Sequence, residues 1–317
     1  MRATVVIPTY KRAGRLSALL SCLAHQTGDA LAEVIVCDDV SPDDTATIAR
    51  SFESKLPLVY RHQEDRGFRA GQARNMGIAA ATGDVILFVD DDVVFPTDFL
   101  AAHVEAHRAR ADLGPAVVLG YRHRAHHVHG IPPTREDVIE AEPDDRVAVI
   151  GPTGGGIGSH PTPWMFVYSC NFSVLREHAA LRFDESFVGW GLEDIDFGYR
   201  LLERGLQAVV APRASVLHIE DPAPRDPFRC EERSLPPTYD SYVRNAVHFM
   251  DKHDDPAVRA WVRNDLRWYV RDEARGAWVK NGYANDVDAV IAAVRAELRA
   301  RAAPPRSEPR PRVPESP

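Results

Sequence analysis

The chain has 317 residues, 44% of them hydrophobic and 26% charged, and its formal net charge is −8. This length suits one large α/β domain with a smaller appendage, and the acidic balance disfavours nucleic acid as a partner. No run of 18 apolar residues is present, so we expect no integral membrane segment. Four widely spaced cysteines without a CxxC pair fit a reducing cytoplasm, which is the predicted location.

Short apolar runs alternate with helical patterns through the first part of the chain. Strands are predicted at 3–8, 33–37, 57–61 and 85–89, with helices between them near 16–23, 43–52 and 70–81. This alternation predicts an α/β fold, with a Rossmann-like, mostly parallel sheet and helices on both faces. Polar residues follow three of these strands directly: Thr9-Tyr10, Asp38-Asp39 and Asp90-Asp91-Asp92. Because ligands of such sheets bind at the carboxyl ends of the strands, we expect the site there.

The middle of the chain is less regular. Residues 122–150 mix histidines, arginines and acids and predict an excursion from the sheet, while the Gly- and Pro-rich residues 151–163 predict a mobile loop. A strand is expected within 164–175 and a helix at 193–204.

The carboxyl-terminal part has a different pattern. From about residue 240 to 300 it is mostly helical, and the final stretch is rich in proline and arginine. We therefore predict a main domain at 1–222, a helical extension at 223–302 and a disordered tail at 303–317.

Three adjacent carboxylates, Asp90 to Asp92, stand at the end of a predicted buried strand. They repel one another unless a cation neutralises them, and hard oxygen ligands suit Mg²⁺ or Mn²⁺. In an extended segment Asp90 and Asp92 point to one side and Asp91 to the other. The triplet therefore favours a metal site with Asp92 as a ligand, although a solvated acidic turn would carry the same residues.

A second acidic group lies in the segment GWGLEDIDF, residues 189–197. Two glycines around Trp190 predict a tight turn, and the acids that follow begin a helix, where carboxylates interact favourably with the helix dipole. An aromatic ring beside carboxylates is also a platform for a sugar. A helix cap with an aromatic anchor is the alternative interpretation.

Four segments together resemble the family 2 glycosyltransferases of the GT-A fold: VVIPTYKR (5–12), VCDDVSPDDT (36–45), GQARNMGIAAATGDVILFVDDDV (71–93) and GWGLEDIDFGYRLLERG (189–205). The last segment is similar more narrowly to galactosyltransferase-like and chondroitin-polymerase-like members. The resemblance covers roughly residues 1–220. It implies a GT-A fold, a nucleotide-sugar donor and Mn²⁺ or Mg²⁺ as cofactor.

The resemblance also implies roles for single residues on the donor side. It assigns donor binding to a set drawn from the first three motifs and the loop before the third: Pro8, Thr9, Tyr10, Arg12, Asp38, Asp39, Gly67, Arg74, Asn75, Asp90 and Asp91. Within this set Asp39 would bind the base with support from Asp38, which favours uracil because a carboxylate accepts its N–H. Arg74 and Asn75 would lie near the diphosphate.

Catalytic, metal and acceptor roles are implied in the same way. Asp194 would be the catalytic base, and Asp92 and His218 would bind the metal. Acceptor contacts are assigned to four residues: Asn171, Trp190, Gly191 and Glu193. Family members often carry a GGN-like segment where this chain has Ser169-Cys170-Asn171, so the acceptor stays open: a glycan, a lipid-linked intermediate or a small molecule.

The implied reaction is a direct displacement that inverts the anomeric carbon, with Asp194 taking the acceptor proton. The metal would neutralise charge on the leaving diphosphate. Two other functions stay open: a non-catalytic module that binds nucleotide-sugar or glycan, and a nucleotidyltransferase. The first would not need both acidic motifs, and the second would need a basic Gly-rich signature that TYKRAGR, after the first strand, does not supply.

Overall fold

The computed structural model describes residues 1–64, 66–151, 157–219 and 239–302. The chain divides into two compact units, Met1–Arg233 and Ser234–Pro317. The predicted boundary between residues 222 and 223 and the predicted tail at 303–317 lie outside the described residues.

The first unit alternates strands and helices. Its strands are β1 (Ala3–Thr9), β2 (Leu31–Asp38), β3 (Leu58–His62), β4 (Val85–Val89), β5 (Val93–Val94), β6 (Ala116–Leu119), β7 (Arg122–Ala125), β8 (Asn171–Leu175), β9 (Gln207–Val210) and β10 (Val216–Ile219). Its helices are α1 (Ala13–Ala24), α2 (Thr45–Ser51), α3 (Ala70–Ala80), α4 (Phe99–Arg108), α5 (Arg135–Glu140), α6 (Asp145–Ile150), α7 (Arg176–Ala179) and α8 (Glu193–Leu202).

A seven-stranded sheet runs in the order β3-β2-β1-β4-β8-β6-β9. Its first four strands are parallel, β8 is antiparallel to both β4 and β6, and β6 is parallel to β9. The α/β fold with a mostly parallel sheet is therefore confirmed. Because Asn171 opens β8 opposite Val89 at the end of β4, the segment before β8 adjoins the site edge.

Alternate residues of each strand enter two separate cores, as the pleat of a strand requires. Val5 and Ile7 pack with α1, α2 and α4 on one face, whereas Val6 packs with α3 and α8 on the other. The predicted helices on both faces are thus confirmed. A Cβ atom at Gly77 would lie 2.4 Å from Cγ1 of Val6, so glycine is what allows α3 to pack this closely on β1.

A smaller sheet, in the order β5-β10-β7, places a distant histidine beside the acidic triplet. β5 begins directly after Asp92, and His218 of β10 pairs with Val93. The backbone N–H of Ile219 donates to the Asp92 carbonyl at 3.2 Å. On its other side β10 pairs in parallel with β7.

The middle of the unit differs from the sequence prediction. The strand expected within 164–175 covers only β8, because Pro163–Phe166 forms a 3₁₀ turn that buries Trp164 and Phe166. The excursion expected at 122–150 contributes β7 to the small sheet, and it also forms α5 and α6. Residues 152–156 of the predicted mobile loop lie outside the described residues.

The second unit consists of α9 (Asp240–Lys252), α10 (Pro256–Leu266), a hairpin of β11 (Tyr269–Asp272) and β12 (Ala277–Lys280), and α11 (Val287–Ala302). The predicted helical character is confirmed, but the hairpin was not predicted. Its Trp278 is buried and donates its Nε1–H to Glu297 of α11 at 3.2 Å. Within the described residues of both units, no helix is long and apolar enough to cross a bilayer.

Candidate active site

The acidic triplet forms a turn that Thr9 and Arg12 hold from β1 and the loop after it. Asp91 is buried, and its carboxylate accepts hydrogen bonds from the Thr9 hydroxyl at 2.6 Å and from Arg12 Nη1 at 3.2 Å. The same Nη1 lies 2.5 Å from Oδ2 of Asp92. The expected alternation of an extended segment is therefore wrong here, because one guanidinium group contacts both Asp91 and Asp92.

Asp92 also meets His218, the predicted second metal ligand. His218 Nε2 lies 3.2 Å from Asp92 Oδ2. Burial acts to raise the pKa of Asp92, but His218 and then Arg12 outweigh it and leave this pKa below its ordinary value. Within the described residues no three His, Cys, Asp or Glu side chains form a metal-binding group. Any ion here would therefore take its other ligands from phosphate oxygens and water, as Mg²⁺ commonly does.

Arg74 joins the two acidic motifs. Its side chain is buried on α3; Nη1 donates to Oε1 of Glu193 at 3.0 Å and Nη2 to Oδ1 of Asp90 at 2.9 Å. The guanidinium carbon lies 5.5 Å from the ring centroid of Phe183. In this geometry the terminal nitrogens of Arg74 are bound to protein carboxylates, and Glu193 is buried against Arg74. The donor role of Arg74 and the acceptor role of Glu193 stay predictions.

Asp194 lies at the start of α8 and is held by the segment before β8. Its Oδ2 accepts from the Ser169 backbone N–H at 3.0 Å and from the Ser169 hydroxyl at 3.3 Å. Burial raises the pKa of Asp194, and the N–H of Ser169 acts against that rise. The carboxylate is only partly exposed, so it is oriented by fixed donors and still accessible. Sequence reasoning missed Ser169, although it noted the altered segment that contains it.

The turn before α8 has an unusual backbone. Gly189, Gly191 and Leu192 have φ angles of 81°, 106° and 72°, a region that leucine rarely adopts. Trp190 between them is 40% exposed. Such conformations persist where the surrounding structure enforces them, and they concentrate at functional sites. The turn leaves the Trp190 side chain partly exposed just before α8, the helix that carries Asp194 in its first turn.

The nucleoside end of the predicted site is formed after β2. Asp38 is buried and accepts the Tyr60 hydroxyl at 2.5 Å, so it braces the loop. The half-buried Asp39 accepts from Gln63 Nε2 at 2.6 Å and from the Arg69 backbone N–H at 3.1 Å. Of the two carboxylates, Asp39 is the one that reaches the surface.

Three other predicted donor residues, Pro8, Tyr10 and Gly67, lie along the same edge. Pro8 is half-buried in β1, and Tyr10 is 44% exposed directly after it. Lys11 and Val40, which follow the ends of β1 and β2, both have positive φ angles. Gly67, in the segment that leads to α3, has a φ angle of 73°.

Two residues with predicted ligand contacts, Asn75 and Asn171, are buried. Asn75 is buried, and its amide donates to the Phe183 carbonyl at 2.9 Å while its oxygen accepts from the Phe183 N–H at 2.8 Å. Asn171 has no exposed surface and donates to the carbonyls of Tyr121 and Ala214. Both amides are therefore bonded within the protein, to backbone and side-chain atoms, and the donor and acceptor contacts predicted for them stay predictions.

Comparison with known proteins agrees with this fold. Residues 4–146 match the sequence model of the family described as Glycosyl transferase family 2. The validoxylamine A glucosyltransferase of Streptomyces hygroscopicus subsp. jinggangensis (strain 5008) is 33% identical over 271 residues, covering 79% of this chain and 60% of that protein. The chain thus spans less than two thirds of that relative's length.

Solved structures share the architecture at lower sequence identity. The mannosyltransferase PcManGT from Pyrobaculum calidifontis, in complex with GDP-Man and Mn²⁺, superposes with a TM-score of 0.57 at 18% identity over 96% of this chain and 76% of that one. TarS residues 1–349 from S. aureus, in complex with UDP-GlcNAc, gives 0.54 at 19% identity over 84% and 71%. At such identities the likeness concerns the fold.

Fold, acidic motifs and matches together define a glycosyltransferase domain of the GT-A fold. The chain belongs to the family 2 glycosyltransferases, as its four motifs predict.

Proposed function

We propose that this chain transfers a sugar from a UDP-sugar to an acceptor hydroxyl, with inversion at the anomeric carbon and in dependence on a divalent metal. The Arg74 bridge is the observation that carries the proposal. One buried side chain bonds Asp90 after β4 and Glu193 at the start of α8, so two acidic motifs distant in sequence form one site. This site lies at the carboxyl ends of the parallel strands, where sheets of this type bind ligands.

Asp194 is the residue we assign to proton removal. The Ser169 N–H and hydroxyl fix its Oδ2, and the partly exposed carboxylate is ready to accept the proton of an acceptor hydroxyl as that oxygen attacks. Glu193, the neighbouring acid, is buried, and its Oε1 accepts from Arg74 Nη1 at 3.0 Å. One displacement with one base inverts the anomeric carbon.

Asp92 and His218 fit a metal bound together with the donor. Oδ2 and Nε2 lie 3.2 Å apart, and carboxylate with imidazole is a donor set that Mn²⁺ accepts. Nδ1 of His218 is buried without a hydrogen-bond partner among the described residues. A bound divalent ion would supply positive charge for the departing diphosphate. Arg12, now 2.5 Å from Asp92, would share that carboxylate with it.

The nucleotide and the acceptor are the less specific parts of the proposal. Asp39 reaches the surface beside β2, where a carboxylate can accept the N–H of uracil, and UDP-GlcNAc is the ligand of the TarS complex. GDP-Man is the ligand of the PcManGT complex, so GDP-sugars belong in the test. Trp190, 40% exposed next to Asp194, offers a ring against which an acceptor or donor sugar can pack.

The test is incubation of the full chain with UDP-glucose, UDP-GlcNAc or GDP-mannose and Mn²⁺, with a panel of glycan and small-molecule acceptors. We expect release of nucleoside diphosphate that EDTA abolishes and added Mn²⁺ restores, and a product anomer opposite to that of the donor by proton NMR. His218→Gln should weaken the Mn²⁺-dependent part of nucleotide binding by about tenfold or more.

His25→Gln is the matched control, because among the described residues the His25 ring bonds the Ser21 carbonyl of the preceding helix and no residue of the acidic turn. Nucleotide-sugar binding without release would instead indicate a non-catalytic module, and release of pyrophosphate would indicate nucleotidyl transfer. Full turnover in EDTA would contradict the metal dependence, and retention of the donor's anomeric configuration would contradict the single displacement.

A further inference from the structure

Arg122 is a basic residue that the sequence motifs do not include. It opens β7, the strand that pairs in parallel with β10, and its in-register partner is Val216. Arg124, two residues on, pairs with His218. Since residues two apart on a strand share a face, Arg122 lies on the same face of the small sheet as His218.

The backbone around Arg122 is fixed by several hydrogen bonds. Its own N–H donates to Oδ2 of Asp144 at 2.6 Å, and the preceding carbonyl, of Tyr121, accepts from the Val216 N–H at 2.8 Å. The Asn171 amide donates to the same carbonyl at 3.2 Å. The start of β7 is therefore tied to β8 and β10, the strands that lead to Ser169 and His218.

The guanidinium group of Arg122 has no hydrogen-bond or ion-pair partner within the described part of the chain, although the side chain is half-buried. Burial acts to lower the pKa of Arg122, but nearby Cys170, Asp144, Asp90 and Asp92 outweigh it and raise this pKa. The charged group thus lies among the carboxylates of the site without being bonded to any of them.

The other two arginines of the site already form ion pairs with carboxylates. Arg12 contacts Asp91 and Asp92, and Arg74 contacts Asp90 and Glu193. These two positive charges are shared among four carboxylates, so neither is free for a diphosphate that enters this cleft. The diphosphate needs a further cation, and an arginine with free, fixed-geometry donors is suited to phosphate oxygens.

We propose that Arg122 binds the diphosphate of the nucleotide-sugar and stabilises it as the leaving group, beside the Asp92–His218 pair. This inference rests on the proposed function and adds a residue to it. Its guanidinium donates hydrogen bonds to phosphate oxygens in the bound state. As the acceptor oxygen forms its bond to the anomeric carbon and loses its proton to Asp194, the bond from that carbon to the diphosphate oxygen breaks and its electron pair passes to the diphosphate. The chemistry recognised is a nucleoside diphosphate rather than a nucleoside or a monophosphate.

The experiment is calorimetric binding of UDP, UMP, GDP and GMP to the wild-type chain, Arg122→Gln and Arg122→Lys, with Mn²⁺ and again in EDTA. Loss of a charge-assisted hydrogen bond should weaken diphosphate binding by Arg122→Gln about 10- to 100-fold. Monophosphate binding should change by about twofold or less, because the nucleoside contacts remain. Arg122→Lys should recover part of the lost diphosphate affinity, because lysine keeps the positive charge but lacks the planar pair of N–H donors of a guanidinium group.

Arg124→Gln is the matched control. Arg124 is on the same strand and face but is bonded to Glu142 and Asp145, so its loss should leave nucleotide binding unchanged. Thermal unfolding of each variant confirms that the fold is retained. Wild-type binding of diphosphate with an unaltered Arg122→Gln affinity, or equal weakening of mono- and diphosphate, overturns this inference alone. A wild-type chain that binds no nucleoside diphosphate contradicts the proposed function as well.

Discussion

Two buried polar clusters lie on either side of the start of β8, and they differ in how completely their atoms are bonded. The cluster between α4 and β8 consists of His103, His107, Asn171 and Ser173. Among the described residues, none of its side-chain nitrogens or oxygens is buried without a partner. The second cluster lies at the candidate active site and is called the cleft cluster. Among the described residues, its atoms Arg74 Nε, Glu193 Oε2 and His218 Nδ1 are buried without a hydrogen-bond partner.

The bonding of the first cluster fixes where its protons lie. The Asn171 amide nitrogen donates to two carbonyls, so its oxygen must accept from His103 Nε2 at 3.0 Å. His103 Nδ1 then accepts from the Ser173 hydroxyl at 2.9 Å, and that hydroxyl accepts from His107 Nε2 at 2.9 Å. Burial lowers the pKa of both imidazoles, so both are neutral at neutral pH, and in this arrangement each carries its proton on Nε2.

This contrast distinguishes buried polar groups that stabilise the fold from buried polar groups that are available to a ligand. A fully bonded buried network specifies a packing arrangement. Unmet hydrogen-bonding capacity costs stability and persists where a ligand or a mechanism uses it. By this criterion Asn171, which the family resemblance assigns to the acceptor, belongs to the structural cluster. The cleft cluster contains the atoms that a donor and a metal would satisfy.

The largest effect is expected at Arg74, the centre of the cleft cluster. Arg74→Gln leaves the buried Glu193 and the partly exposed Asp90 without their shared cation. It should lower the free energy of unfolding by about 3–5 kcal/mol, chiefly because the Glu193 charge is then buried without a partner. Arg213→Gln is the matched control, because Arg213 also bridges two acids, Asp98 and Glu105, but is 61% exposed. That change should cost about 1 kcal/mol or less. Equal losses in urea denaturation would show that burial of the Arg74 bridge is unimportant.

A smaller effect is expected at Ser173, the hub of the structural cluster. Ser173→Ala strips the Nδ1 of His103 and the Nε2–H of His107 of their partner and should lower the free energy of unfolding by about 1–3 kcal/mol. Ser51→Ala, which removes an exposed hydroxyl bonded to its own helix, should have little effect. Turnover of the folded Ser173→Ala enzyme should stay near normal. A selective loss of turnover with stability intact would assign this cluster to the site.

The same cluster predicts how stability depends on pH. Burial lowers the pKa of His103 to about 3 and that of His107 to about 4, from an ordinary 6.5. Below pH 6.5 the unfolded chain binds protons that the folded chain does not, so the free energy of unfolding falls as pH falls. Each histidine contributes a slope of up to about 1.4 kcal/mol per pH unit. Urea titrations at pH 7, 6 and 5 measure how the free energy of unfolding depends on pH. A His103→Gln/His107→Gln double variant should show a shallower slope. An unchanged slope would rule out these histidines as its source.

Sequence reasoning reached the parts of this molecule that local pattern determines. The strands before Thr9, Asp38 and Asp90 were predicted, because runs of β-branched residues buried on both faces are visible in the sequence. The position of the site at their ends followed from the sheet type. Motif resemblance supplied the family, which the comparisons confirm.

Long-range pairing was not accessible in this way. Arg74 bonds Glu193 across 119 positions, and no local pattern indicates that a helix residue near the diphosphate loop is neutralised there. For the same reason the sequence did not predict that β8 pairs antiparallel with β4, or that Ser169 donates hydrogen bonds to Asp194. The hairpin around Gly276 was missed because its short strands lie between two stronger helical patterns.

The most direct test of the central claim is single-turnover transfer by Asp194→Asn. This change keeps the shape, and with the amide oxygen in the Oδ2 position it keeps the Ser169 contact but loses the bond that Oδ1 accepts from the Ile195 N–H. It removes the proton acceptor, so the chemical step should slow by about 10²–10⁴-fold. Nucleoside diphosphate affinity should stay within about twofold, since Asp92, His218 and the nucleoside contacts remain. Asp98→Asn, the same change at a half-buried acid bonded to Arg135, should keep the wild-type rate. An Asp194→Asn enzyme with the wild-type rate, above all if Glu193→Gln is inactive, would contradict the assignment of Asp194 as the base.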